Sequence, residues 1–102
     1  MNARITVMRR SFHKDLIEEH FPEYAKRATP CSVFTEGQSV EITGIFPSKP
    51  DKFCDWAWSD IQRNVAMACM GATMPSGCQF TCCSDGLRPV TFRIEAIEGP
   101  EV

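Results

Sequence analysis

The sequence predicts an α+β domain in which a small antiparallel sheet packs on one main helix, with one additional short helix. Three observations carry this reading. Val90, Phe92, Ile94 and Ala96 alternate with Thr91, Arg93 and Glu95, the period of a strand with one buried face. Trp58, Ile61, Val65 and Cys69 recur at three- and four-residue steps, which lines one side of a helix over residues 56–70. Asp85-Gly86, between two strand-like runs, is a hairpin signal.

The elements follow in chain order. "ARITVM" alternates with Ile5 and Val7 on one face, so residues 3–8 read as a half-buried first strand. Ser11 is positioned to cap a short helix over residues 12–20, where Phe12, Leu16 and Ile17 form a stripe and Pro22 discourages continuation. "PEYAKRATPCSVFTEGQ" reads as an irregular connection. "SVEITGIF" returns to alternation with Val40 and Ile42 inward, and Gly44 permits a bend. After "PSKPDKF", Asp55 is the expected N-cap of the main helix and Gly71 its stop. Residues 78–83 form a third strand that turns through "SDGLR" into the last. If Cys78, Phe80 and Cys82 point to the core, Cys78 packs there.

A chain of 102 residues suits one compact domain, with residues 99–102 as a short acidic tail. Its 43% hydrophobic and 24% charged residues match an ordinary globular composition. Eleven Lys and Arg against thirteen Asp and Glu give a net charge of -2, so no pull toward nucleic acid is expected. The early basic residues are interleaved with Asp15, Glu18, Glu19 and Glu23, the mark of a solvated face. No run has membrane-spanning length, and "MNARITVMRRSF" lacks the apolar segment of a signal peptide, so a cytoplasmic protein without membrane partners is expected.

In a reducing compartment six cysteines call for something other than a disulfide framework. Cys69, on the apolar helix face, reads as a small buried hydrophobe. Cys54 just precedes the predicted start of the main helix, where partial positive charge favours a thiolate, and an equally simple reading has it filling a gap beside Phe53 and Trp56. Cys83 faces opposite to Cys82 with Arg88 across the turn, and is balanced between working and inert. No C-x2-C pair announces a structural zinc site, so any metal site must be assembled across the fold from Cys31, Cys54 and one or both of Cys82 and Cys83. Asp85, solvent or substrate could supply a fourth ligand, and the donor set suits zinc or an iron–sulfur centre rather than calcium or magnesium. His13 and His20 lie outside any ligand pattern and read as surface residues. There is no P-loop, G-x-G-x-x-G, G-x-S-x-G or EF-hand pattern, so no nucleotide cofactor is expected.

Three stretches, "TPCSVFTEGQ", "FCDWAWSDI" and "CCSDGLRPVTFRIE", together resemble an uncharacterised family of small bacterial and archaeal proteins with TPC, FC-x-WAW and CC-x-DG-x-RPV motifs. The resemblance runs from Ile5 to Glu98, with "EYAKRA" and "SKPD" as local variations of loop length. It implies membership rather than an activity. Carried onto this chain, its motif cysteines are Cys31, Cys54, Cys82 and Cys83.

The expected function is a thiol-based metal or redox site built from those four cysteines, supported by Asp85 and Arg88. The alternative is a non-enzymatic, homo-oligomeric or small-ligand-binding module whose cysteines only pack, with "IFPSKPDKFCDWAW" as an interface. Convergence of Cys31, Cys54 and Cys83 on one pocket separates the two.

Overall fold

The computed structural model describes residues 1–44, 46–72 and 77–99. Four strands form one antiparallel sheet in the order β2-β1-β4-β3: β1 Asn2–Arg10, β2 Ser39–Ile42, β3 Gln79–Cys82 and β4 Val90–Ile97. The helices are α1 Lys14–His20, α2 Pro22–Ala25 and α3 Asp55–Cys69. This is the α+β class that the sequence predicts.

Strand alternation builds the core. Ala3, Ile5 and Val7 of β1 and Val90, Phe92 and Ile94 of β4 are buried on one sheet face, and α3 covers them with Ala57, Trp58, Ile61, Val65, Ala68 and Cys69. Trp58, Ile61, Val65 and Cys69 therefore meet Val90, Phe92 and Ile94 in one core. The opposite face carries Arg4, which pairs with Glu41 at 3.1 Å and Glu95 at 3.5 Å, leaving a polar, half-solvated surface. Residues beyond the regular elements complete the interior. Phe34 and Phe53 stack edge-on at 4.9 Å, and Phe34 meets Phe92 at 5.2 Å, so the connection after α2 contributes a ring to the core.

Several boundaries depart from the sequence reading. Ser11 caps no helix: its amide donates to Pro89 O at 2.8 Å and the His13 amide donates to Leu87 O at 2.9 Å, which prolongs the β1–β4 pairing and delays α1 to Lys14. The supposed irregular connection holds α2, started by Pro22, whose fixed φ and missing amide suit a first turn. The N-cap of α3 is Cys54 rather than Asp55, which is the first helical residue and pairs with Lys49 at 2.6 Å. β2 ends at Ile42, before Gly44 takes a φ of +89°. Gly71, with a φ of +83°, ends α3 as expected.

The register of β3 corrects a further expectation. Gln79 pairs with Ile94 and Cys82 with Thr91, so Phe80 and Cys82 point to the outer face and Gln79 to the core. A polar residue is tolerated there because the side chains of Asn64 and Gln79 meet at 2.9 Å and Gln79 also donates to Asn64 O at 3.0 Å, which fastens β3 to α3. Cys78 stands just before the strand and is half-buried. Most of the acidic tail, and Ile45, lie outside the described residues.

Candidate functional site

The site forms at the end of the sheet where β1 leaves and β4 enters. A β-bulge at Met8 sets it up: Val7 pairs with Phe92 but Arg9 with Thr91, so the strand changes phase and Arg10, opposite Val90, projects on the core side. Arg10 donates to Cys31 O at 2.9 Å and pairs with Glu36 at 3.4 Å, holding the segment that bears Cys31 and Phe34. From the second side comes the start of α3, with Cys54 at the N-cap. The Cys54 carbonyl accepts the Trp58 amide at 2.9 Å, while its sulfur makes no capping bond. The third side is the turn between β3 and β4. Asp60 on α3 accepts the Ser84 amide at 2.7 Å and clips this turn to the helix.

These three segments enclose a cavity of about 140 Å³. Its lining includes Cys31, Cys54 and Cys83, with Asp85 and Arg88 at the turn and Val33, Phe34, Ala57 and Val90 as apolar walls. Trp56 stands at its edge, 78% exposed, where the second helical residue points away from the core. The open groove of about 400 Å³ between Phe46, Pro47 and the side of α3 at Gln62 and Arg63 is wider, and its described lining carries no thiol.

Five of the six residues singled out from the sequence thus meet. Cys82 does not: adjacent strand residues face opposite ways, and it lies exposed on the outer sheet face beside Thr91. The six cysteines form no disulfide. The three cavity thiols surround the space without forming a ligand group: among the described residues no set of three or more His, Cys, Asp and Glu side chains is placed to hold a metal ion. The tetrahedral arrangement expected for zinc is absent from these residues.

The turn owes its shape to Asp85. Its Oδ1 accepts the amides of Leu87 and Arg88, both at 3.0 Å, and its Oδ2 lies 3.5 Å from Arg88 Nε. Burial pushes the Asp85 carboxyl up, but the two amide bonds and the Arg88 guanidinium outweigh it and hold the group below the usual carboxylate range. Gly86, the glycine of the hairpin signal, stays outside the left-handed region, and nothing would meet a Cβ there within 4 Å. Of the two residues of the hairpin signal, the carboxylate rather than the glycine shapes the turn.

Arg10, Phe34 and the Asp60–Ser84 clip escaped the sequence reading. Arg10 carries no local signal, since its role depends on the bulge two residues earlier. Among the described residues no helix is long and apolar enough to cross a membrane. Comparison with protein-family models, curated proteins and solved structures found no match, so function rests on the geometry of the chain itself.

Proposed function

We propose that this is a thiol-based redox protein whose working site is the cavity ringed by Cys31, Cys54 and Cys83. The carrying observation is that three segments remote in sequence bring three of the six thiols to one small enclosed space. All three pack in part against the core, but unlike Cys69, which is fully buried among Ile61, Val65 and the sheet, they also border the cavity. The four motif cysteines of the resembling family include these three, with Cys82 as the fourth.

Cys54 is the attacking residue. It stands at the N-terminus of a fifteen-residue helix, where aligned peptide dipoles favour negative charge, and its sulfur is not spent on a cap. Cys83 is already committed, because its sulfur accepts the Val90 amide at 3.3 Å. Cys31 is therefore the resolving residue. Cys54 sulfur attacks one sulfur of a low-molecular-weight disulfide and expels a thiolate; Cys31 then attacks the Cys54 sulfur and expels the second. The result is a Cys31–Cys54 disulfide, with the oxidant reduced to two thiols by two electrons and two protons. A reducing cytoplasm would return the pair to its dithiol form. The metal half of the sequence expectation lacks a comparable ligand arrangement among the described residues.

The test is exposure of the folded protein to 2-hydroxyethyl disulfide, followed by peptide mapping. A Cys31–Cys54 link, lost in Cys54→Ser, is expected. Mixed disulfide at Cys82 with no link inside the cavity would overturn the reading.

A second reading, association of identical chains, is favoured by the edge strands. Among the described residues β2 and β3 each pair on one side only, and Phe80 is 61% exposed on β3. Sedimentation of wild type and Phe80→Ser separates it: a dimer or larger species that Phe80→Ser dissolves supports association, and a monomer in both removes it.

A further inference from the structure

We propose that the thiol-lined cavity selects small, uncharged, apolar molecules about the size of a benzene ring, and excludes charged thiol carriers. This deepens the redox reading and rests on it for the chemistry at Cys54, but the selection comes from size and charge. Apolar cavities of about 150 Å³ accept a benzene-sized molecule, and this one measures about 140 Å³. Its apolar walls are Val33, Phe34, Ala57 and Val90, which offer dispersion contacts and no hydrogen bonds from their side chains, and Trp56 and Ser84 complete the uncharged lining beside the thiols. A tripeptide thiol or a folded partner's loop is too large to enter.

Charge points the same way. The charged side chains on the lining are Asp85 and Arg88, and they neutralise one another at 3.5 Å. Asp85 Oδ1 is further occupied by two backbone amides. An anionic ligand would have to take Arg88 from Asp85, and a cationic ligand would have to take Asp85 from Arg88 and from the turn it holds. Either would also leave water for apolar walls without a counter-ion of its own. A neutral molecule disturbs neither pair.

The site is thus a filter ahead of a nucleophile. Small neutral electrophiles reach Cys54, while bulky or charged ones are kept to thiols outside the cavity, of which the exposed Cys82 on the far sheet face serves as an internal reference for reagent reactivity.

The experiment has two arms on the wild-type chain. In the first, methyl methanethiosulfonate is compared with its anionic sulfonatoethyl and cationic trimethylammonioethyl analogues. In each case the cysteine thiolate attacks the thio sulfur, a mixed disulfide forms and methanesulfinate leaves. Mass spectrometry gives the Cys54-to-Cys82 labelling ratio, which is expected to be about tenfold higher for the neutral reagent than for either charged one. Equal ratios for all three would overturn the proposal while leaving Cys54 a reactive thiol. In the second arm, benzene is added without any electrophile, and amide shifts are followed by NMR. Saturable shifts at Ala57 and Val90 are expected, and slower labelling of Cys54. Those shifts also appear in Cys54→Ser, so the filter stands or falls apart from the redox chemistry. Absence of benzene shifts in both proteins would sink it.

Discussion

Val90 donates its amide to the Cys83 sulfur at 3.3 Å, and its carbonyl accepts the Cys83 amide at 3.1 Å. An antiparallel pair would ordinarily return the second bond to the Cys83 carbonyl. Here the side chain stands in, so the sulfur closes the β3–β4 ladder and is fixed at the cavity wall. Removing it therefore acts on stability before it acts on chemistry. Cys83→Ala should cost about 1 kcal/mol, because the partly buried Val90 amide loses its partner, and Cys83→Ser less, because a hydroxyl can accept the same bond. Urea denaturation reads the difference. Equal midpoints for both variants and wild type would show that the bond contributes nothing.

The aromatic contacts around Phe92 give a second expectation. Phe92 is fully buried and meets Phe34 at 5.2 Å and Phe53 at 5.9 Å. Truncation to alanine should destabilise by about 3–5 kcal/mol through lost burial and the cavity left behind. Phe34→Ala should approach the same cost although Phe34 lies outside every helix and strand. A loop residue that only covered the surface would give a loss of well under 1 kcal/mol, so the midpoint of Phe34→Ala distinguishes the two roles.

The contrast between these rings shows what the sequence makes legible. Phe92 sits in a run with period two, and Trp58, Ile61 and Val65 in a run with period near 3.6, so their burial follows from patterning alone. Phe34 and Phe53 lie in stretches without period, and only tertiary packing shows that they face inward. The site divides similarly. Cys54 and Cys83 are legible because a helix start and a strand end are local features. Cys82 joins them in the sequence as a motif cysteine of the resembling family, yet alternation sends it to the other face. Arg10 owes its role to a bulge, which shifts the register without any residue that announces it. The α3 cap moved by one position because Asp and Cys both tolerate the extended conformation of an N-cap, and the start was settled by the Cys54 carbonyl and Trp58 amide.

At the turn, substitution of the expected residue should prove mild and that of its neighbour costly. Gly86 has room for a side chain and an ordinary φ, so Gly86→Ala should stay within about 0.5 kcal/mol of wild type. Asp85→Ala should cost about 1 kcal/mol, comparable to the loss of a helix cap, since two amides lose their acceptor. The acid dependence follows from the lowered Asp85 carboxyl. A group whose folded-state value lies below its unfolded value stabilises above the unfolded value, near pH 4, and loses that contribution as the pH falls through the folded one. Asp85→Asn should therefore flatten the stability profile below about pH 4. A profile identical to wild type would show that the carboxylate carries no pH-linked stability.

Cys69 supplies the opposite case among the thiols. It is fully buried on α3, and its sulfur lies 3.9 Å from Ile42 O as a weak donor. Burial raises the Cys69 thiol above its ordinary value, with the positive N-terminus pulling weakly the other way. The folded protein thus keeps this proton after the unfolded chain has released it, so folding loses stability as the pH rises above about 8.5. Cys69→Ala should remove that alkaline component and, by deleting a packed sulfur, cost about 1–2 kcal/mol at neutral pH. In the native protein iodoacetamide should modify the exposed Cys82 readily and leave Cys69 untouched until denaturant is added. Mapping of alkylated peptides across a urea series tests this directly, with Cys69 labelling expected to follow the unfolding transition itself. Modification of Cys69 well before that transition would mean that α3 separates from the sheet locally, and would place this sulfur among the accessible thiols rather than in the core.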